Sequence, residues 1–161
     1  MRFKKSIYTT GNWPSTRRAF SGSLDTVCRP AYPDPEMPTG SEIEKVNLRE
    51  KLGRFSDYWS PKIVGEVNDS HVKLVKLKGE FLWHHHESED ELFLVVKGTL
   101  IIRLRDRDVE LEEGEFVIIP HGVEHLPIAT EEAHVLLLEP KTTVNTGNVS
   151  SERTVAELDR I

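Results

Sequence analysis

The stretch WHHHESEDELFLVVKG, residues 83–98, decides how this chain is read. Three consecutive histidines are followed by an acidic bend, then by an apolar run that ends on glycine. On an extended strand alternate side chains share a face, so His84 and His86 point one way and His85 the other. A rise of about 3.3 Å per residue sets the two imidazoles roughly 6–7 Å apart at Cα, close enough to converge on one ion. Glu91 returns past the bend, at the start of the next strand, as a carboxylate. Two imidazoles and one carboxylate on one side of an ion leave open positions for other ligands. A solvated surface cluster would use the same residue types, and a fourth donor has to come from elsewhere in the fold.

A second segment, residues 114–125, reads GEFVIIPHGVEH. Together the two segments resemble the two motifs of the cupin superfamily, G(X)5HXH(X)3,4E(X)6G and G(X)5PXG(X)2H(X)3N. His84-x-His86, Glu91 and Gly98 keep the spacing of the first, with Gly79 one residue closer to His84 than the pattern. Gly114, Pro120, Gly122 and His125 keep the second, with Ala129 where Asn is usual. The resemblance covers residues 62–140, and more narrowly the chain resembles small single-domain cupins labelled mannose-6-phosphate isomerase-like. It implies an all-β fold, a single jelly-roll β-barrel. It also implies one divalent metal ion (Fe, Mn, Ni or Zn) inside the barrel, held by His84, His86, Glu91 and His125. Beside it would sit a small-molecule ligand or substrate.

The function expected under that resemblance is a metal-dependent enzyme on a small molecule. Dioxygenase-like chemistry is favoured and isomerase or lyase chemistry is next. The alternatives are a non-catalytic binding or sensing cupin and a barrel that its metal only braces. Catalytic residues are unknown. Because the donors must be deprotonated, metal affinity is expected to fall below about pH 6.5.

Alternation places Leu82, Phe93 and Val95 on the lumen face, making an apolar wall with a few polar groups. Trp83 and His85 face away. His121 is expected at the surface and His71 in solvent. His134 is expected to be packed, with a base in the pocket as the alternative. One of Glu87, Glu89 and Asp90 could hydrogen-bond a ligand histidine. A phosphorylated sugar would need a lumen cation, for which Lys73, Lys76 and Arg103 are the candidates.

Outward from the motifs, strands are expected over 62–67, 72–77, 81–86, 91–96, 99–105, 109–111, 116–119, 124–129 and 133–139. Turn signals separate them. No long helix intervenes, which excludes a parallel α/β sheet. A short helix is expected after Asn47, an N-cap with Glu50 three residues on. The organisation is then an extension over 1–40, the barrel over 41–140, and a polar loop with a short helix from Thr154 over 141–161. The extension lacks hydrophobic periodicity and is rich in Pro and Gly, so it is expected to be disordered. Residues 1–24 hold no acid and many Ser and Thr, like a transit peptide; Met37 is an alternative start.

The formal net charge is −6, divided unevenly. Residues 1–30 hold six basic side chains and one acidic; the remainder holds 15 basic against 26 acidic. An acidic body repels phosphates and argues against a nucleic-acid partner. No apolar run approaches the ~20 residues of a membrane helix. A lone Cys28 suits a reducing compartment, so cytoplasmic localisation is expected, or organellar if residues 1–24 act as a transit peptide. The sequons at Asn68 and Asn148 are read as chance matches. Exposed sheet edges on a small barrel lead to an expected homodimer.

Overall fold

A computed structural model describes residues 43–161, so the extension expected over 1–40 lies outside the described part of the chain. Asn47 starts helix α1 (Leu48–Leu52): its side chain accepts from the Glu50 N–H at 3.2 Å, satisfying a donor the helix leaves unpaired. The Glu50 carboxylate turns to Arg54 at 2.5 Å rather than back to the cap. Gly53 ends the helix.

Seven strands follow: β1 (Lys62–Val67), β2 (Ser70–Glu80), β3 (Glu91–Lys97), β4 (Leu100–Arg103), β5 (Asp108–Leu111), β6 (Phe116–Ile119) and β7 (Leu126–Pro140). All neighbours are antiparallel, in the order β1-β2-β7-β3-β6, with β4 joining β5 to β7. The long strand β7 organises the barrel. Its second half lies between β2 and β3, and its first residues pair with β4. Register shifts between Leu77 and Gly79 and between Val95 and Lys97 let β7 turn from one set of partners to the other. Gly98 follows the second shift at φ +86°, and a Cβ there would lie 2.9 Å from the Glu132 carbonyl oxygen. Only glycine fits that approach.

The period of two divides every long strand into an inner and an outer face. Val75 and Leu77 of β2, Val135 and Leu137 of β7, and Phe93 and Val95 of β3 meet inside with Leu100 and Ile102 of β4. Leu74, Val64 and Leu136 face the other way and are covered by Leu52, Leu48 and Phe55. α1 therefore seals the outer face of the sheet.

Several expected boundaries move. The separate strands expected over 124–129 and 133–139 are one strand, because β7 stays paired through its bend. Residues 81–86 are extended but form a single bridge, at His84. The helix expected from Thr154 does not form. That segment consists of turns and bends, and it closes with Arg160 bridged to Ile63 and the Ile161 N–H donating to the Ile63 carbonyl. A β-partner for those backbone groups outweighs a weak local helix signal. No helix among the described residues is long and apolar enough to cross a membrane.

Candidate metal centre

Two segments that lie far apart in sequence are zipped together by backbone hydrogen bonds. His84 N–H donates to His125 O at 3.1 Å and His125 N–H to His84 O at 2.9 Å. Phe81 N–H reaches Pro127 O at one end, and Gly122 N–H reaches His86 O at the other. Strand alternation then turns His84, His86 and His125 inward, where they meet Glu91 at the start of β3. All four are buried, and one donor atom from each lies within 4.8 Å of the others.

The chemistry of these atoms fits a divalent cation. The Nδ1 atoms of His84 and His125 sit 3.1 and 3.0 Å from the carbonyls of Leu82 and Val123. A carbonyl only accepts, so each Nδ1 carries the proton and each Nε2 is left with a lone pair. His86 Nε2 and His125 Nε2 approach Glu91 Oε2 at 3.3 and 3.4 Å without forming a hydrogen bond, so these three atoms are buried without a partner. A cation shared among the four would satisfy every orphaned atom.

His85 points outward, its Nε2 3.7 Å from Glu87. Trp83 also faces away, under the Arg105 guanidinium at 3.8 Å from the ring centre. His121 is a surface residue whose Nδ1 and backbone N–H both meet Asp90. His134 packs outside the barrel against Glu132 and is not a pocket base. His71, expected in solvent, has a side chain only 14% exposed. Its imidazole pKa is lowered, first by that burial. The acids of the bend reach no ligand histidine. Glu89 instead accepts from Thr142 and Asp90 anchors His121.

Two of the four donors, His84 and Glu91, line a cavity of about 30 Å³ that is otherwise largely apolar. That is room for roughly one or two waters. Trp59 stacks on Phe81 with centroids 4.8 Å apart, and Phe81 meets His84 edge-on at 5.4 Å, so two aromatic rings close one side. Trp59 holds this position at φ +59°, a region disfavoured for a bulky side chain. Its indole donates to the Lys78 carbonyl at 2.9 Å, and Arg153 holds the carbonyls of Glu80 and Phe81.

The cupin domain model matches residues 71–139. A solved structure, a cupin-2 domain containing protein from Shewanella frigidimarina, is 46% identical. The match covers 60% of this chain and 94% of that one, at a TM-score of 0.59. This chain belongs to the cupin superfamily. Among curated cupin-region relatives, the uncharacterized protein YdbB of Bacillus subtilis is 38% identical, over 48% of this chain and 64% of its own. Acireductone dioxygenase of Sulfurihydrogenibium is 32% identical, over 52% of this chain and 46% of its own. The chain thus spans less than two thirds of the length of either curated relative.

Sequence reading missed the strap that supports this cupin site from outside. Asn148 and His85 are joined twice, N–H to O at 3.0 Å and amide oxygen to N–H at 3.0 Å. Gly147, at φ +52°, packs against the same peptide, and a Cβ there would lie 2.1 Å from the His85 carbonyl oxygen. Gly147→Ala is expected to push the His84–His86 segment off its seat. It should weaken uptake of Co(II) by roughly tenfold or more, as loss of supporting contacts does in metal sites. Equilibrium dialysis checks this, and unchanged uptake would contradict it.

Burial, then the neighbouring His125, holds the His84 imidazole down at about 4 instead of 6.5. As pH falls, the unfolded chain takes that proton first. The contribution of His84 to stability is therefore complete above about pH 6.5 and is lost on acidification toward pH 4. The loss is expected to be on the order of 3 kcal/mol in the metal-free chain, measured by urea unfolding after chelation. Stability that stays level across that window would contradict it.

Proposed function

We propose that this cupin is a mononuclear metal-dependent enzyme acting on a small molecule, with dioxygenase-like chemistry. The observation that carries this is the set of four inward donors, with orphaned buried atoms, beside a mostly apolar cavity. His84, His86, Glu91 and His125 would hold one divalent ion. Such an ion supplies Lewis acidity and, as Fe(II), the means to bring dioxygen and an organic ligand together. The chain's own part is to fix the donors through the two-segment zipper, to exclude water with Trp59 and Phe81, and to present an apolar wall to the ligand. The dioxygenase relative supports oxygen chemistry over the isomerase or lyase alternative.

Phosphorylated sugars suit the cavity poorly. Of the three candidate cations, Lys76 bonds the Phe55 carbonyl outside the barrel and Arg103 pairs with Asp108 at the surface. Lys73 alone is inside, and it is neutralised by Glu139. A non-catalytic binding or sensing cupin is the second reading. The same largely apolar lining beside the donors would hold a ligand without turning it over.

Oxygen uptake separates the two. The Fe(II)-loaded chain is expected to consume oxygen with at least one member of a panel of phenols, thiols and keto acids, and His86→Ala to reduce the rate by roughly a hundredfold. Retained ligand without uptake across the panel would favour binding over catalysis.

A homodimer is part of the same proposal. Among the described strands β6 is a sheet edge, pairing only with β3, and it presents Phe116 and Ile118 at 60% and 52% exposure. Light scattering is expected to give twice the 18.4 kDa chain mass. A single-chain mass would overturn the pairing. The cytoplasm, as a reducing compartment, suits both a lone cysteine and a ferrous ion.

A further inference from the structure

The barrel wall holds a second polar feature that neither the folding of the sheet nor the four donors account for. Lys73 on β2 and Glu139 on β7 are both buried, and Lys73 Nζ donates to Glu139 Oε1 at 2.5 Å. Burying two charges gains little stability. Apolar residues of similar size commonly hold a core as well or better. The pair is therefore not what keeps the barrel folded.

Glu139 continues the inner face of β7 two residues beyond Leu137, just as Glu91 begins the inner face of β3 two residues before Phe93. Phe93 is registered with Leu137, and Leu92 with Leu138, so the two carboxylates lie on neighbouring strands at the same level. Glu139 lines the same cavity as His84 and Glu91 but stands outside the cluster of four donors. One of its oxygens is held by Lys73. The other, Oε2, is buried without a partner. Apart from the candidate ligands and Asn145, the rest of the cavity lining is apolar. Both amide atoms of Asn145 are already engaged, with Arg153 and Val155.

We propose that Glu139 is the specificity-determining residue of the cavity: its Oε2 accepts a hydrogen bond from a hydroxyl or amine of an uncharged molecule held at the metal. Lys73 fixes the carboxylate and cancels its charge. The pair leaves no free cation for a phosphate or carboxylate, and it offers an acceptor to a neutral donor. Alcohols, phenols, enols and aryl amines fit this description; sugar phosphates and keto acids do not. The assignment rests on the metal-centre reading. It narrows the substrate class of that site.

Two isosteric probes test it on the Co(II)-loaded chain: 2-mercaptoethanol and propane-1-thiol. Both bring sulfur to the ion, read from the thiolate-to-cobalt charge-transfer band, and differ only in a terminal hydroxyl or methyl. The natural chain is expected to bind 2-mercaptoethanol at least tenfold more tightly, because a cavity with a buried acceptor rejects an analogue lacking the donor. Lys73→Met with Glu139→Leu replaces the pair by apolar residues of similar size. This double variant is expected to keep its Co(II) content and melting temperature and to lose the preference. A merely structural pair would leave the ratio unmoved in the variant. Equal binding of the two thiols by the natural chain, or a ratio that survives the double substitution, overturns the role of Glu139 alone. Failure of the natural chain to take up Co(II) overturns the metal-centre reading and this assignment with it.

Discussion

Three imidazoles and one carboxylate turned into a barrel interior form the constraint on which this structure depends. Polar groups removed from water cost free energy unless something inside replaces the lost hydration. Two of the histidines are half satisfied by backbone carbonyls, which fixes their tautomers and leaves each Nε2 with a lone pair. His86 Nε2, His125 Nε2 and Glu91 Oε2 are buried without a protein partner. A chain that buries such a set without a cation would be less stable for it, so the arrangement is best understood as built around one.

The fold meets this demand with backbone hydrogen bonds. The mutual bonds between His84 and His125 join the first motif to the second, and Glu91 opens a strand paired on both sides, by β6 and β7. The donors thus ride on elements whose positions are fixed by the sheet, which limits the freedom of each side chain. The aromatic pair Trp59 and Phe81 and the strap around Gly147 are added from the ends of the domain. They cover the site from two sides.

Much of this was legible in the sequence because a strand has a simple period. Alternation separated His84 and His86 from His85, and it placed Phe93 and Val95 on the inner wall with Glu91. The same rule would have found Glu139, which shares parity with Val135 and Leu137 in an otherwise apolar run. The period gave no help beyond the barrel. Asn148 meets His85 across 63 residues, through backbone and amide atoms with no pattern of their own. The segment from Thr154 has a faint helical composition but forms turns, because its end finds a partner in β1. Burial of His71 depends on neighbours from other strands, and a turn-proximal position in sequence does not disclose it.

The central claim is that His84, His86, Glu91 and His125 bind one ion together. An anomalous difference map from crystals of the chain loaded with Co(II) tests it most directly. A single peak is expected inside the barrel, about 2.0–2.2 Å from the three Nε2 atoms and a Glu91 oxygen. A barrel without a peak, or an ion held only by surface groups such as Asp90 and His121, would contradict it.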